Sequence, residues 1–110
     1  MLILSKRRDF LAAARAQRQG TKGMMVQGRN RKDDCPDLRI GFTCSKKVGN
    51  AVARNRAKRR LREAARHVLL QNGKAGWDYV LIGRANETAL RPFDGLQGDL
   101  LYALKKIHNH

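Results

Sequence analysis

Apolar and polar residues alternate from Leu38 to Ser45, with Leu38, Ile40, Phe42 and Cys44 on one side and Arg39, Gly41, Thr43 and Ser45 on the other. A period of two predicts a strand with one packed face and one wet face. Gly41, on the wet face, leaves the backbone open to a close approach. The period then changes. Ala53, Ala57, Leu61, Ala64 and Val68 recur at intervals of 4, 4, 3 and 4, which is the stripe of an amphipathic helix. Asn50 stands as its cap and Asn72-Gly73 ends it, so the helix spans about Ala51 to Gln71. From Trp77 to Arg84 both alternating sets are apolar, Tyr79 and Leu81 against Val80 and Ile82, as in a central strand. Pro92 opens a last helix, where Phe93, Leu96, Leu100, Leu101, Leu104 and Ile107 form a stripe wide enough for the core.

The N-terminal third is less regular. Ser5 can cap a first helix from about Lys6 to Arg18, with Phe10, Leu11 and Ala14 on one face. Lys6, Arg7 and Arg8 in its first turn oppose the positive end of the helix dipole. Gly20 to Gly23 breaks the chain, and Met24 to Gln27 reads as a short edge strand. The polar stretch from Gly28 to Asp37, with Pro36, reads as a loop or hairpin connection. The order is helix, strand, strand, helix, strand, helix, with room for one more short strand. It predicts an α+β or α/β sandwich, the sheet covered by helices on at least one face. At 110 residues, positions 1–110 form a single domain.

Charge changes the picture most. The chain carries 24 Lys and Arg against 9 Asp and Glu, a net charge of +15. Such an excess favours nucleic acid or another polyanion as partner. Nine of the basic residues (Lys46, Lys47, Arg54, Arg56, Lys58, Arg59, Arg60, Arg62, Arg66) lie between Ser45 and Arg66, with Glu63 the one acid there. On a helix of about 100° per residue, Asn55, Arg59, Arg62 and Arg66 line up opposite the alanine-rich stripe. Arg56 and Arg60 take one shoulder and Lys58 the other, while Arg54 lies near the edge of the packed stripe. Arg54, Asn55 and Arg56 point in three directions, so one short motif can grip phosphates on either side of the helix. Asn55 adds an acceptor that arginine lacks. The helix start, preceded by Lys46 and Lys47, offers backbone N–H groups to a phosphate.

Standalone catalysis finds little support. Only Asp33, Asp34 and Asp37 cluster among the acids, in a polar loop where Asp serves turns. No P-loop, GxSxG or HExxH signature occurs. Cys35 and Cys44 form no CxxC pair, and His67, His108 and His110 stand at no zinc-ligand spacing from them. Cys44 reads as a small buried hydrophobe in a reduced interior. No run of 18 apolar residues or signal peptide is present, and the basic helix lacks the Trp or Phe of a membrane-surface helix.

The run from Leu38 to Glu63, LRIGFTCSKKVGNAVARNRAKRRLRE, closely resembles the signature of the bacterial ribonuclease P protein subunit. Lys6-Arg7-Arg8-Asp9-Phe10 and the strand Tyr79 to Arg84 extend the resemblance over most of the chain. It implies an α+β two-layer sandwich resembling ribosomal-protein-like folds, with a left-handed β-α-β crossover where general rules favour the right-handed one. It implies a cytoplasmic protein that assembles with a catalytic RNA, as a monomer in a 1:1 complex, and helps remove the 5′ leader of precursor tRNA. Mg²⁺ would be bound chiefly by the RNA, and neither a membrane nor a small-molecule substrate is implied. By the same resemblance Arg54, Asn55, Arg56, Lys58, Arg59, Arg60, Arg62 and Arg66 meet the RNA subunit. Phe10, Arg39, Ser45, Lys46, Lys47 and Arg84 line a cleft for the single-stranded leader, an aromatic platform with cations. The first helix has Ala14 where the family often carries a second aromatic, and Met24 and Met25 stand where an aromatic is expected in the first strand. A purely structural RNA-binding protein and a protein-only nuclease are the competing readings.

Overall fold

The computed structural model describes residues 1–109; His110 lies outside them. Five strands form one mixed sheet in the order β1-β4-β5-β3-β2: β1 (Leu2–Ile3), β2 (Gln17–Gly20), β3 (Met24–Asn30), β4 (Arg39–Cys44) and β5 (Trp77–Gly83). The helices are α1 (Arg7–Ala14), α2 (Ala51–Asn72), the single turn α3 (Glu87–Leu90) and α4 (Phe93–His108). β4 and β5 are adjacent and parallel, Ile40 opposite Tyr79 and Phe42 opposite Leu81, so α2 is the crossover of a β-α-β unit.

The main core lies between the sheet and the helix pair α2 and α4. Leu61, Ala64, Ala65, Val68 and Leu69 of α2 and Leu96, Leu100, Ala103, Leu104 and Ile107 of α4 pack on Met24, Val26, Ile40, Tyr79 and Leu81. This is the expected two-layer α+β sandwich. On the other face α1 adds a short partial cover, where Phe10 and Ala13 pack on Leu4, Val80 and Ile82. That second cluster accounts for the two apolar sets of β5: one belongs to each face.

The predicted wet face of β4 is therefore partly covered, and the opening at Gly41 has an occupant. A Cβ at Gly41 would stand 2.6 and 2.7 Å from two ring carbons of Phe10. The ring lies directly on the backbone of β4.

The N-terminal third departs from expectation. The first helix ends at Ala14, not Arg18, and Ser5 does not cap it: Lys6 occupies the N-cap without a side-chain hydrogen bond. Gln17 to Gly20 instead pairs antiparallel with Gly28 to Met25 of β3. Thr21 closes the turn between the strands, its hydroxyl donating to the Met24 carbonyl and accepting from the Met24 N–H. Helical propensity loses there to a ladder of sheet hydrogen bonds that a helix would forfeit. Consequently β3 is no edge strand; it runs to Asn30 between β2 and β5. β1 had no sequence signal: two residues are too short for any period, and pairing with β4 alone defines it.

Candidate nucleic-acid interface

α2 is one unbroken helix of 22 residues. The Asn50 side chain accepts from the Ala53 N–H at 2.9 Å, so the predicted cap forms and uses one of the free amides there. Ala57, Leu61, Ala64 and Val68 are buried as the stripe requires, while Asn55, Arg56, Arg59, Arg62 and Arg66 are exposed and Arg54 and Lys58 half-exposed. The helix's only acid, Glu63, faces Arg66 at 3.4 Å and His67 at 3.5 Å, exposed contacts worth only a few tenths of a kcal/mol. The Arg62 guanidinium sits 5.5 Å from the centroid of the Phe42 ring, a cation–π contact that stiffens it. Arg54, Asn55 and Lys58 border a polar cleft of about 360 Å³ with Thr43. On the other flank, Arg56 and Asn50 border one of about 450 Å³ that Arg84 and Asn86 close.

Arg60 is the exception on this helix. Its guanidinium donates to the carbonyls of Thr88 at 2.8 Å, Ala89 at 2.6 Å and Arg91 at 2.7 Å. The wheel places it correctly on a shoulder, but α3 lies against that shoulder. Unlike the exposed arginines beside it, half-buried Arg60 spends these donors on this chain's own backbone.

The second basic surface is a groove of about 770 Å³ on the α1 side of the sheet. Ser45, Lys46, Lys47 and Arg84, all expected at a leader site, line it together. Lys46 and Lys47 stand on a short 3-10 turn after β4, and Arg84 follows β5. Arg18, Met25 and Gln27 complete the floor and far wall, with Glu87 as the acid at the rim. Arg18 and Gln27 went unrecognised because β2 did, and with it the pairing of Arg18 with Gln27. Of the two methionines, Met25 opens into the groove while Met24 is buried in the core.

Arg39 and Phe10 are placed differently. Arg39 lies at the other end of β4, where Nε and Nη2 bind the two oxygens of Asp78 at 2.8 and 2.7 Å. Asp9 approaches it at 3.5 Å and Arg31 donates to Asp78 at 2.7 Å. Those bonds hold the Arg39 pKa above its ordinary value, against the opposing effect of burial. Arg39, expected at the leader site, is paired with a fully buried carboxylate and stands apart from the residues that line the groove. Sequence could not show this, because Asp78 sits among apolar residues and its register with Arg39 is a tertiary fact. Phe10 is half-buried on Gly41, in the second core, and is not among the residues that line the groove.

The acids that could draw notice are in use within the chain. Asp33 accepts from Arg31 at 3.1 Å and from the Cys35 N–H, and Asp99 binds Arg91 at 2.6 Å. Among the described residues no three His, Cys, Asp or Glu side chains converge as metal ligands would. Cys44 is half-buried rather than buried, its thiol 3.7 Å from the Arg54 carbonyl. Burial pushes its pKa up, against the Gly83 amide, Lys58 and Arg54, so it is a poor thiolate.

A guanidinium-lined helix on one side of a small sheet and a cationic groove on the other define a basic module of the kind seen in nucleic-acid-binding proteins. Residues 2–108 match the family model Ribonuclease P. The ribonuclease P protein component of Ruegeria pomeroyi is 67% identical over 96% of this chain and 86% of its own length. That of Paramagnetospirillum magneticum is 49% identical over 94% of this chain and 80% of its own. Among solved structures, the RNase P protein of Thermotoga maritima superposes with a TM-score of 0.77 at 29% identity, covering 97% of this chain and 98% of the other. The Staphylococcus aureus RNase P protein gives 0.75 at 26% identity, covering 96% and 94%. The chain belongs to the ribonuclease P protein family.

Proposed function

We propose that this chain is the protein subunit of a ribonuclease P ribonucleoprotein, an endoribonuclease that removes the 5′ leader of precursor tRNA. The observation that carries it is the continuous, acid-poor outer face of α2 in a chain of this family. That face (Arg54, Asn55, Arg56, Lys58, Arg59, Arg62, Arg66) docks on folded ribonuclease P RNA, its arginines forking onto phosphates and its asparagine reading a polar edge. The groove of Ser45, Lys46, Lys47 and Arg84, with Arg18, takes the single-stranded leader through phosphate contacts, and the half-buried Phe10 ring adds limited stacking.

Hydrolysis falls to the RNA and the Mg²⁺ it binds. Asp78, Asp33 and Asp99 are each bound by arginine, and no three His, Cys, Asp or Glu side chains among the described residues converge on one point. What the protein supplies is charge neutralisation and position. It works as a monomer in a 1:1 complex with the RNA, in the cytoplasm. No helix among the described residues is long and apolar enough to cross a membrane.

Reconstitution with the cognate RNA subunit tests this directly. At near-physiological salt and low Mg²⁺ the chain should accelerate 5′ maturation strongly, and less so at high salt, where phosphate repulsion is already screened. Equal cleavage with and without the chain would overturn the proposal, as would cleavage by the protein freed of RNA. Recovery in ribosome fractions instead of with one small structured RNA would favour a structural RNA-binding role.

A further inference from the structure

We infer that Arg60 is a positioning residue for the leader groove: it meets no RNA and holds the segment 84–91 so that Arg84 stands at the groove's mouth. This rests on the leader reading of the groove proposed above.

The segment cannot hold its shape unaided. α3 is a single turn, so its last carbonyls have no partner within the helix. Asn86, which leads into it, has φ of +63° and ψ of −47°, the strained γ-turn geometry, closed by the Glu87 N–H donating to the Ala85 carbonyl at 2.7 Å. Arg60 supplies what is missing. Nη1 spans the carbonyls of Thr88 and Ala89 and Nη2 reaches that of Arg91, three acceptors in a fan that suits a planar fork. A lysine ammonium on a single stem has no such plane and keeps only the charge.

The rest of the segment is tied to the β2–β3 turn. The buried Thr88 hydroxyl donates to the Gly23 carbonyl at 2.6 Å and accepts the Arg84 N–H at 2.8 Å. Arg91 binds Asp99 at 2.6 Å, and Asp99 accepts the Gly23 N–H at 3.0 Å. Arg84 is fixed at the centre of these ties. Its backbone hangs on Thr88, and its Nη2 lies 2.9 Å from where a Cβ on Gly20 would stand. From there it lines both the leader groove and the cleft beside Arg56. Arg60 thus links the RNA-facing helix to the wall of the opposite groove through the backbone of 88–91 and the Thr88 hydroxyl.

The test uses reconstituted holoenzyme carrying Arg60→Met, Arg60→Lys, Arg84→Ala or Arg60→Met with Arg84→Ala. Both Arg60 variants should lower the preference for precursor over mature tRNA about three- to tenfold, as Arg84→Ala does, and the double variant should lose no more than Arg84→Ala alone. RNA-subunit affinity and its salt slope should stay as in the parent. Amide hydrogen exchange should quicken across 84–91 and not along α2. Arg60→Lys is the discriminating variant, and it carries the comparison should Arg60→Met not fold. If Lys keeps the precursor preference, while Met weakens RNA-subunit binding and lowers the salt slope by about one, Arg60 is a phosphate contact and the inference is wrong. Additive losses for Arg60 and Arg84 would overturn it equally. If Arg84→Ala changes nothing, the leader reading of the groove falls and takes the inference with it. A loss at Arg84 with none at Arg60 removes the inference alone.

Discussion

The outer face of α2 and the groove on the α1 side of the sheet are both rich in cations, yet they are made in opposite ways. The helix face comes from one stretch of 22 residues, and most of its cations stay exposed because the stripe of Ala57, Leu61, Ala64 and Val68 carries the packing on the core. The groove is assembled from the ends of β2, β3, β4 and β5 and the segments after them. Its members depend on strand register and on the hydrogen bonds that hold the segment after β5. A surface of the first kind tolerates single substitutions and loses binding in small steps. One of the second kind can be broken from a distance.

Asp78→Asn should give the largest effect and would sharpen that contrast. It takes the shared buried carboxylate from Arg31 and Arg39, a largely buried and a partly buried guanidinium, leaving Arg31 only the exposed Asp33 and Arg39 only Asp9 at 3.5 Å. Removing one partner of a buried pair costs about 3–5 kcal/mol, here toward the lower figure since Arg39 is partly exposed. Urea denaturation should show that loss, with the salt slope of RNA-subunit binding unchanged in what remains folded. An unchanged midpoint would return Arg39 to the list of free cations.

Gly41→Ala comes next. Its methyl would meet the Phe10 ring at under 3 Å, so α1 must shift. About 1–3 kcal/mol of overpacking strain is expected, with a severalfold loss of precursor preference and unaltered RNA-subunit affinity. Phe10→Ala should remove the same preference and also about 2 kcal/mol of stability, since the ring is half-buried in the second core.

On the helix the steps are smaller. Arg59→Ala and Arg62→Ala should each weaken RNA-subunit binding by about 1 kcal/mol and lower the salt slope by about one, with the melting temperature unchanged for Arg59→Ala and slightly lowered for Arg62→Ala, which also loses its contact with Phe42. If these variants and Phe10→Ala impair one and the same assay equally, the two surfaces are not separate.

The smallest effect concerns the end of α4. His108 Nε2 lies 2.7 Å from the Tyr79 hydroxyl, which accepts the Lys74 N–H. Burial, helped by Lys74, lowers the His108 pKa from its ordinary 6.5. Burial also pushes Tyr79 up to about 12, so the phenol is neutral and can donate to the imidazole. The unfolded chain then binds the proton more readily than the fold does. Stability is therefore full above about pH 6.5 and declines as pH falls below it. Denaturation midpoints at pH 7.5 and 5.5 should show the decline, and His108→Asn should flatten it.

Local order along the chain was enough for α2, β4, β5 and α4, because each carries its own period and stop signals within its own length. It was enough for the basic rail of α2 too, since a helix maps sequence spacing directly onto a face. β1 and β2 could not be read that way. Two residues hold no period, and Gln17 to Gly20 is a strand only because β3 offers it a partner. The same limit governed single side chains. Whether an arginine is free or spoken for depends on which carboxylate or carbonyl the fold brings within about 3 Å, a matter of tertiary distance. Hence Arg59 and Arg62 were legible as surface cations, whereas Arg39 met Asp78 and Arg60 met the end of α3 only once the chain had folded.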